Sequence, residues 1–347
     1  MFPIVLFTRL RSWIRNRKSA LTYLPKKISI RLSVLLIILP LLIGISTITL
    51  STNYIALNSL LIATENNSIS CSSEKVSEQI SSYFKPLNTT TSTAFHMLNE
   101  GIVKLEYSDI FIKFLYSIIV NDANISGAFW GDIAGNFYSL YKVDSNYLEQ
   151  ITLRDGKNKK SIERIFNSQG KLLSAKKLPF DGRDPRVRPW YKQAKLKKQQ
   201  IWITYKFLKV ANQKESLGVT AAFPLYNSKG NLLGVFGVDM LVETISKYIN
   251  DIKITKNSVI FLADDVDNLI SVHDKNKNLL EDYELIKIPD LTKPWLKKSF
   301  TIYQQTHKSP FMYSFNNNKY ISAYGKIADV KSEKPWFVAI VVPVVNG

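Results

Sequence analysis

The 347-residue sequence predicts an α+β fold: one long helix continuing from a membrane segment, then two lobes that each combine a small antiparallel sheet with helices. Three patterns carry this reading. A 19-residue uncharged apolar run follows a purely basic N-terminus, and helical apolar spacing continues from it to about residue 84. After residue 120, aromatic and β-branched runs separated by turn residues take over. That pattern restarts on a smaller scale near residue 258.

Leu32 to Leu50 reads LSVLLIILPLLIGISTITL, and no charge appears before Glu65. At about 1.5 Å per residue this helix spans roughly 28 Å, close to the hydrocarbon thickness of a bilayer. Pro40 and Gly44 are tolerated in such a helix. Residues 1–31 hold eight basic side chains and no acid, so the positive-inside rule puts the N-terminus in the cytoplasm and the remainder outside. A buried core helix does not account for that asymmetry. A cleaved signal peptide would have a shorter apolar stretch and a small-x-small site, which STNYIALNSL does not offer. The opening MFPIVLF is too short to span.

Beyond the anchor, Ile55, Leu57, Leu60, Leu61, Val76, Ile80, Tyr83 and Phe84 keep helical spacing, and Pro86 is expected to end that helix. Further helices are expected over Thr91–Leu105 and Ser108–Val120. Ser126–Tyr141 reads as a hairpin around a Gly-containing turn, and NSQG (residues 167–170) marks another turn. Ile201–Val210, Leu217–Tyr226 and Leu232–Met240 read as strands, with a helix over Val242–Ile252. The second set comprises Ser258–Ala263, Asn268–Val272, a helix over Lys293–Thr301, and strands at Phe311–Phe315, Tyr320–Tyr324 and Phe337–Val342. The expected domains are therefore 1–31 (basic N-terminus), 32–54 (transmembrane helix), 55–90 (stalk helix), 91–252 (first lobe) and 253–347 (second lobe).

The net charge of +18 suggests nucleic acid as a partner, but its distribution argues against that. Besides the N-terminus, the excess sits in residues 151–200, with 15 basic against 4 acidic residues. The lysines of DGKNKK (155–160) and KLKK (195–198) read as solvated faces, and the topology puts them outside the cell. No nucleic-acid partner is expected. One cysteine, Cys71, excludes an intramolecular disulfide framework and a cysteine metal site. His96, His273 and His307 form no ligand pair, so neither metal nor cofactor is expected. No G-x-S-x-G, Walker loop or H-E-x-x-H occurs, so no enzyme is expected.

From Asp184 the sequence reads DPRVRPWYKQA, and residues 217–240 read LGVTAAFPLYNSKGNLLGVFGVDM. Together with VIFLADDVDNLISVHD (259–274), these segments resemble the double Cache (dCache) sensor domain, a tandem of two PAS-like lobes outside the membrane in bacterial receptors. The likeness covers roughly residues 50–345. In the second segment Asp267-Asn268 stands where the family has a turn glycine, and Asn tolerates that turn.

The resemblance implies that residues 91–252 form the membrane-distal, ligand-binding lobe and 253–347 the proximal one. It implies a pocket formed by Arg188, Trp190, Tyr191 and Asp239. The chemistry is coherent: a guanidinium clamps a carboxylate, a carboxylate holds an ammonium group, and aromatic faces exclude water. Such a set suits an amino acid or related zwitterion. The alternative is that Pro189 starts a helix and Trp190 and Tyr191 only pack. Arg183 stands where the amino-acid-binding subfamily has Tyr, five residues before Arg188. With Arg186 and Lys192 nearby, this tilts the site towards an anionic ligand such as a dicarboxylate.

The implied function is a single-pass receptor input module of the bacterial inner membrane that senses a small extracytoplasmic solute for signal transduction or chemotaxis. Family members re-enter the membrane after the second lobe and carry a cytoplasmic output. The sequence ends at Gly347, where that crossing would be due. A truncated chemoreceptor, histidine kinase or nucleotide cyclase, and a basic surface-binding protein, are the alternatives. A homodimer through the N-terminal helix, or a partner receptor chain, is expected.

Overall fold

The computed structural model describes residues 30–344 apart from 107, 156, 157, 181, 209–214, 253–257, 274–285 and 292. The chain divides into two compact units, Met1–Glu65 and Asn66–Gly347. Helix α1 covers Ile30–Asn99. Its stretch Ile30–Leu61 is long and apolar enough to cross a membrane, and the large apolar side chains described there are exposed. Thr47, Thr49 and Thr52 turn their hydroxyls back onto carbonyls four residues earlier, at 2.6–3.0 Å. That internal pairing lets polar side chains sit in an apolar stretch.

In the second unit, α1 buries Val76, Ile80, Phe84, Leu87, Ala94 and Leu98. The expected stop at Pro86 is not observed. A proline inside a helix costs about 3 kcal/mol, but its ring is exposed here and buried residues continue on both sides of it, so packing prevails. The separate helix expected over Thr91–Leu105 is therefore the last part of α1. It ends where Gly101 takes φ +70° and donates its N–H to the Leu98 carbonyl at 3.2 Å. Helix α2 (Asp109–Val120) starts at Ser108, whose side chain accepts the Phe111 N–H.

The first sheet is antiparallel throughout, in the order β5-β4-β3-β2-β1-β8-β7-β6. Its strands are β1 (Ile125–Asp132), β2 (Phe137–Val143), β3 (Asn146–Asp155), β4 (Asn158–Phe166), β5 (Leu172–Leu178), β6 (Ile201–Leu208), β7 (Glu215–Tyr226) and β8 (Leu232–Leu241). The expected hairpin is β1–β2. Sequence reading registered only the NSQG turn of the β3–β5 extension, because β4 and β5 are half-exposed or exposed and show no apolar alternation. Helix α3 (Pro189–Lys197) connects β5 to β6, and α4 (Val242–Asp251) follows β8.

The second sheet comprises β9 (Val259–Ala263), β10 (Leu269–His273), β11 (Phe311–Phe315), β12 (Asn318–Lys326) and β13 (Phe337–Val344), with α5 (Pro294–Thr306) crossing before β11. Its order β10-β9-β13-β12-β11 repeats the order β2-β1-β8-β7-β6 of the first sheet. The repeat extends to the hairpin turns. Asp132 accepts the backbone and side-chain N–H groups of Asn136 at 2.8 and 2.7 Å, and Asp264 accepts those of Asn268 at 2.8 and 2.8 Å. At the turn expected to rely on Asn, Asp267 takes the left-handed conformation at φ +67°.

Both sheets share α1 through one core. Phe84 of α1, Trp202 of β6 and Trp336 just before β13 form a buried edge-to-face trio with centroid separations of 5.6–6.0 Å. Ser77 donates to the Lys326 carbonyl, and Ser81 accepts the Ala328 N–H at 3.0 Å. Gly325 fits against α1 because a Cβ there would lie 2.7 Å from Ser77.

Candidate functional site

The register of the first sheet sets Asp239 of β8 between Gly127 of β1 and Thr220 of β7, with Tyr141 of β2 opposite Gly127. These four residues form one row on the face covered by α3. A Cβ at Gly127 would meet the Tyr141 ring at 2.2 Å, so glycine is what allows that ring to lie against the strand. Asp239 is 1% exposed, and Thr220 donates its hydroxyl to it. Burial pushes the Asp239 carboxyl up to about 7, against the opposing pull of the Thr220 hydroxyl and the Arg188 guanidinium.

Arg188 is exposed and caps the start of α3 with extended backbone (φ −73°, ψ 146°), the conformation that a following proline favours. Its guanidinium carbon lies 5.9 Å from the centre of the buried Tyr205 ring on β6. Tyr141 and Tyr205 both have their hydroxyl pKa raised, first by burial and then by the Asp239 charge. Arg183 donates to the Gln150 side chain at 2.7 Å, and its charge also acts on Tyr141. An exposed cation, a buried carboxyl, the buried Tyr205 and the half-buried Tyr141 therefore lie near one another, an arrangement able to hold a small ligand with opposite charges at its two ends.

The four residues singled out from sequence are not all in one place. Arg188 and Asp239 act on each other electrostatically. Trp190 is 2% exposed and packs on Phe129 and Phe137, with centroids 4.7 and 6.4 Å away, as a wall of the same face. Tyr191 is buried, but its hydroxyl reaches the backbone carbonyl of Asp132 at 3.4 Å, at the far end of β1 from Gly127. Of the additional cations, Arg183 turns to the site, whereas Arg186 is held by Asp184 at 2.8 Å. Sequence reading missed Tyr141, Tyr205, Thr220 and Gln150. The available signal was Thr220, a lone hydroxyl within the apolar run LGVTAAF. Among the described residues no group of three or more His, Cys, Asp or Glu side chains could hold a metal ion.

The dCache_1 model, described as a Cache domain, matches residues 56–346. The chain belongs to the Cache domain family. As a Cache protein it has structural neighbours among sensory domains. The ligand-binding domain of the Pseudomonas fluorescens chemoreceptor CtaA, solved with L-isoleucine, is 14% identical over 82% of this chain and 95% of its own, with a TM-score of 0.52. The corresponding domain of the Pseudomonas aeruginosa PAO1 amino acid chemoreceptor PctB, solved with L-arginine, is 16% identical over 80% and 87%, also at 0.52. The extracellular domain of the putative histidine kinase mmHK1S-Z3 is 13% identical over 78% and 91%, at 0.53. At these identities the likeness is one of fold. By sequence, adenylate cyclase 1 of Rhizobium meliloti (strain 1021) is 29% identical over 171 residues, which span 43% of this chain and 24% of the cyclase.

The two Cache lobes can be compared position by position through their shared strand order. In the second lobe, Val259 stands where the first has Gly127, Val341 where it has Asp239, Ser322 where it has Thr220, and Tyr313 where it has Tyr205. Lys293-Pro294-Trp295 opens α5 as Arg188-Pro189-Trp190 opens α3. The second lobe thus keeps the cation and the hydroxyl but has valine in place of the carboxylate. Its α5-facing side is packed with rings, including Tyr303 against Tyr324 at 4.0 Å and Tyr313 against Tyr320 at 5.4 Å.

Proposed function

We propose that this Cache protein is a membrane-anchored, extracytoplasmic sensor whose first lobe binds an amino-acid-like solute between Arg188 and Asp239. The carrying observation is the buried Asp239 carboxyl, placed on a central strand under the influence of Arg188 and walled by Tyr141 and Tyr205. An unliganded core gains nothing from a carboxylate in that position. A bound ammonium would compensate its burial. The ligand carboxylate would lie on Arg188, and Trp190 would line the site without contacting the charged groups. The amino acids bound by the CtaA and PctB domains are consistent with this reading.

A second reading, a dicarboxylate held by Arg183 and Arg188, is favoured by the turn of Arg183 towards Gln150 and Tyr141. The two differ in sign. An ammonium requires ionised Asp239, so affinity rises with pH up to about 7 and then levels off. A dicarboxylate prefers the protonated acid, so its affinity falls above that pH.

Ile30–Leu61 would form the membrane anchor, with the basic N-terminus in the cytoplasm and the Cache domain outside, in the bacterial inner membrane. α1 would connect the sensor to that anchor and pair with a second copy or another receptor chain. The partial likeness to a cyclase supports a role as an input module for a cytoplasmic output. A thermal-shift screen of amino acids and organic acids tests the ligand class. Stabilisation by members of neither class would overturn the reading.

A further inference from the structure

A hollow of about 470 Å³ opens beside α3, bounded by Ile133 after β1 and Leu232 at the start of β8. It shares no lining residue with the Asp239 row. Its cationic lining is Arg186, Lys192, Lys195 and Lys198, with no carboxylate among the described lining residues. Two of its apolar side chains are unusually open, Ile133 at 56% and Leu196 at 77% exposure, and the Tyr191 ring completes the wall.

Helix energetics explains only part of this set: Lys195 and Lys198 stand at the C-terminal end of α3, where the helix dipole favours cations, whereas Lys192 stands in its N-terminal half, where the dipole disfavours one. Lys192 and Lys195 are like charges three residues apart, which costs a helix a few tenths of a kcal/mol. Lys198 caps α3 in the left-handed conformation at φ +53°, where glycine fits without a Cβ penalty. The neighbouring acids are already engaged: Asp184 holds Arg186 at 2.8 Å, and Asp132 accepts both Asn136 donors. Lys197, which does not line the hollow, pairs with Glu333 at 3.0 Å. Among the described residues Lys192, Lys195 and Lys198 have no ion-pair partner.

We propose that this hollow is a second ligand site, for a phosphate monoester or comparable dianion that carries an apolar group. The dianion lies on the lysines, and its apolar part covers Ile133 and Leu196. The site is independent of the Arg188–Asp239 reading and stands or falls without it. A bare anion would use only half of the surface, so an apolar ester should bind more tightly than inorganic phosphate.

The test is calorimetric titration of the full chain in detergent with phenyl phosphate, inorganic phosphate and uncharged benzyl alcohol at low salt. The expected order is phenyl phosphate first, inorganic phosphate weaker and benzyl alcohol without measurable binding. Phenyl phosphate affinity should fall at least tenfold in a Lys192→Gln/Lys195→Gln double variant, whose exposed positions leave the fold intact, and be unchanged in Arg188→Ala. Soluble dihexanoyl phosphatidic acid distinguishes the sources. Tighter binding than phenyl phosphate, lost in the double variant, assigns the phosphate to a lipid headgroup, and weaker binding assigns it to a free ester. No phenyl phosphate binding, undiminished binding in the double variant, or loss in Arg188→Ala overturns the proposal.

Discussion

Asp239 is a carboxyl held in a place that disfavours its charge. Its pKa in the folded chain, about 7, lies above the ordinary value of 3.8, so the folded state binds the proton more tightly than the unfolded one. The contribution of Asp239 to stability without ligand should be full below about pH 4, decline between about 4 and 7, and stay flat above. The full decline is on the order of 4 kcal/mol. Asp239→Asn should remove this decline between about pH 4 and 7 and raise the melting temperature at pH 8, and an unchanged profile would place the titration elsewhere. Gly127→Ala tests the row from its other end. A Cβ 2.2 Å from the Tyr141 ring forces that ring to move, so ligand affinity should fall and stability drop by about 1–3 kcal/mol. Arg188 and Asp239 could be named from the sequence only because they stand in the two segments that carry the family resemblance, DPRVRPWYKQA and LLGVFGVDM. Tyr141, Gly127 and Thr220 could not be, because only the β1–β2, β1–β8 and β7–β8 registers bring them beside Asp239, and register is a long-range property. Tyr191 illustrates the reverse: its neighbours in sequence are site residues, yet its hydroxyl turns to Asp132.

Helix α1 shows how packing overrides a local stop signal. Pro86 carries the strongest breaker chemistry in the stretch, yet the helix runs on to Asn99 because Leu87, Ala94 and Leu98 have a core to enter. Replacing the exposed proline should therefore restore a helix hydrogen bond without disturbing packing. Pro86→Ala is expected to stabilise the chain by up to about 3 kcal/mol in a thermal or denaturant melt, and a destabilised variant would show that the proline is required. The same helix carries the exposed Cys71, the chain's one thiol. If α1 forms a parallel pair near that residue, oxidation of membranes should yield Cys71-linked dimers. Persistent absence of such dimers would remove this stretch from the pairing seam. Strands β4 and β5 escaped sequence reading for the opposite reason to Pro86: they are largely half-solvated, so no buried face imposes an apolar period on them, while β3 is buried from Tyr147 to Thr152 but has Glu149 and Gln150 interrupting its apolar run.

At the scale of the molecule, the two lobes repeat one strand order but not one chemistry. Glycine and aspartate on the first sheet and an open arginine at the start of α3 become two valines on the second sheet and a lysine at the start of α5, and the α5-facing side of that sheet is filled by stacked rings. The repeat in strand pattern was visible in the sequence. The divergence of the two faces was not, because it depends on which residues share a row. The lobes meet α1 at Phe84, Trp202 and Trp336, so Phe84→Ala should destabilise the whole domain by about 3–5 kcal/mol in one cooperative transition. An alkaline phosphatase fusion at Gly347 should be active if the Cache domain is exported. Calorimetric titration from pH 5.5 to 8.5 with an amino acid that stabilises the protein decides whether the first lobe holds a zwitterion between Arg188 and Asp239. Affinity should rise about tenfold per pH unit below 7 and level off above it, lose that dependence in Asp239→Asn, and fall about 100-fold in Arg188→Ala. An affinity that is flat across this range and indifferent to both substitutions would contradict a zwitterion held there.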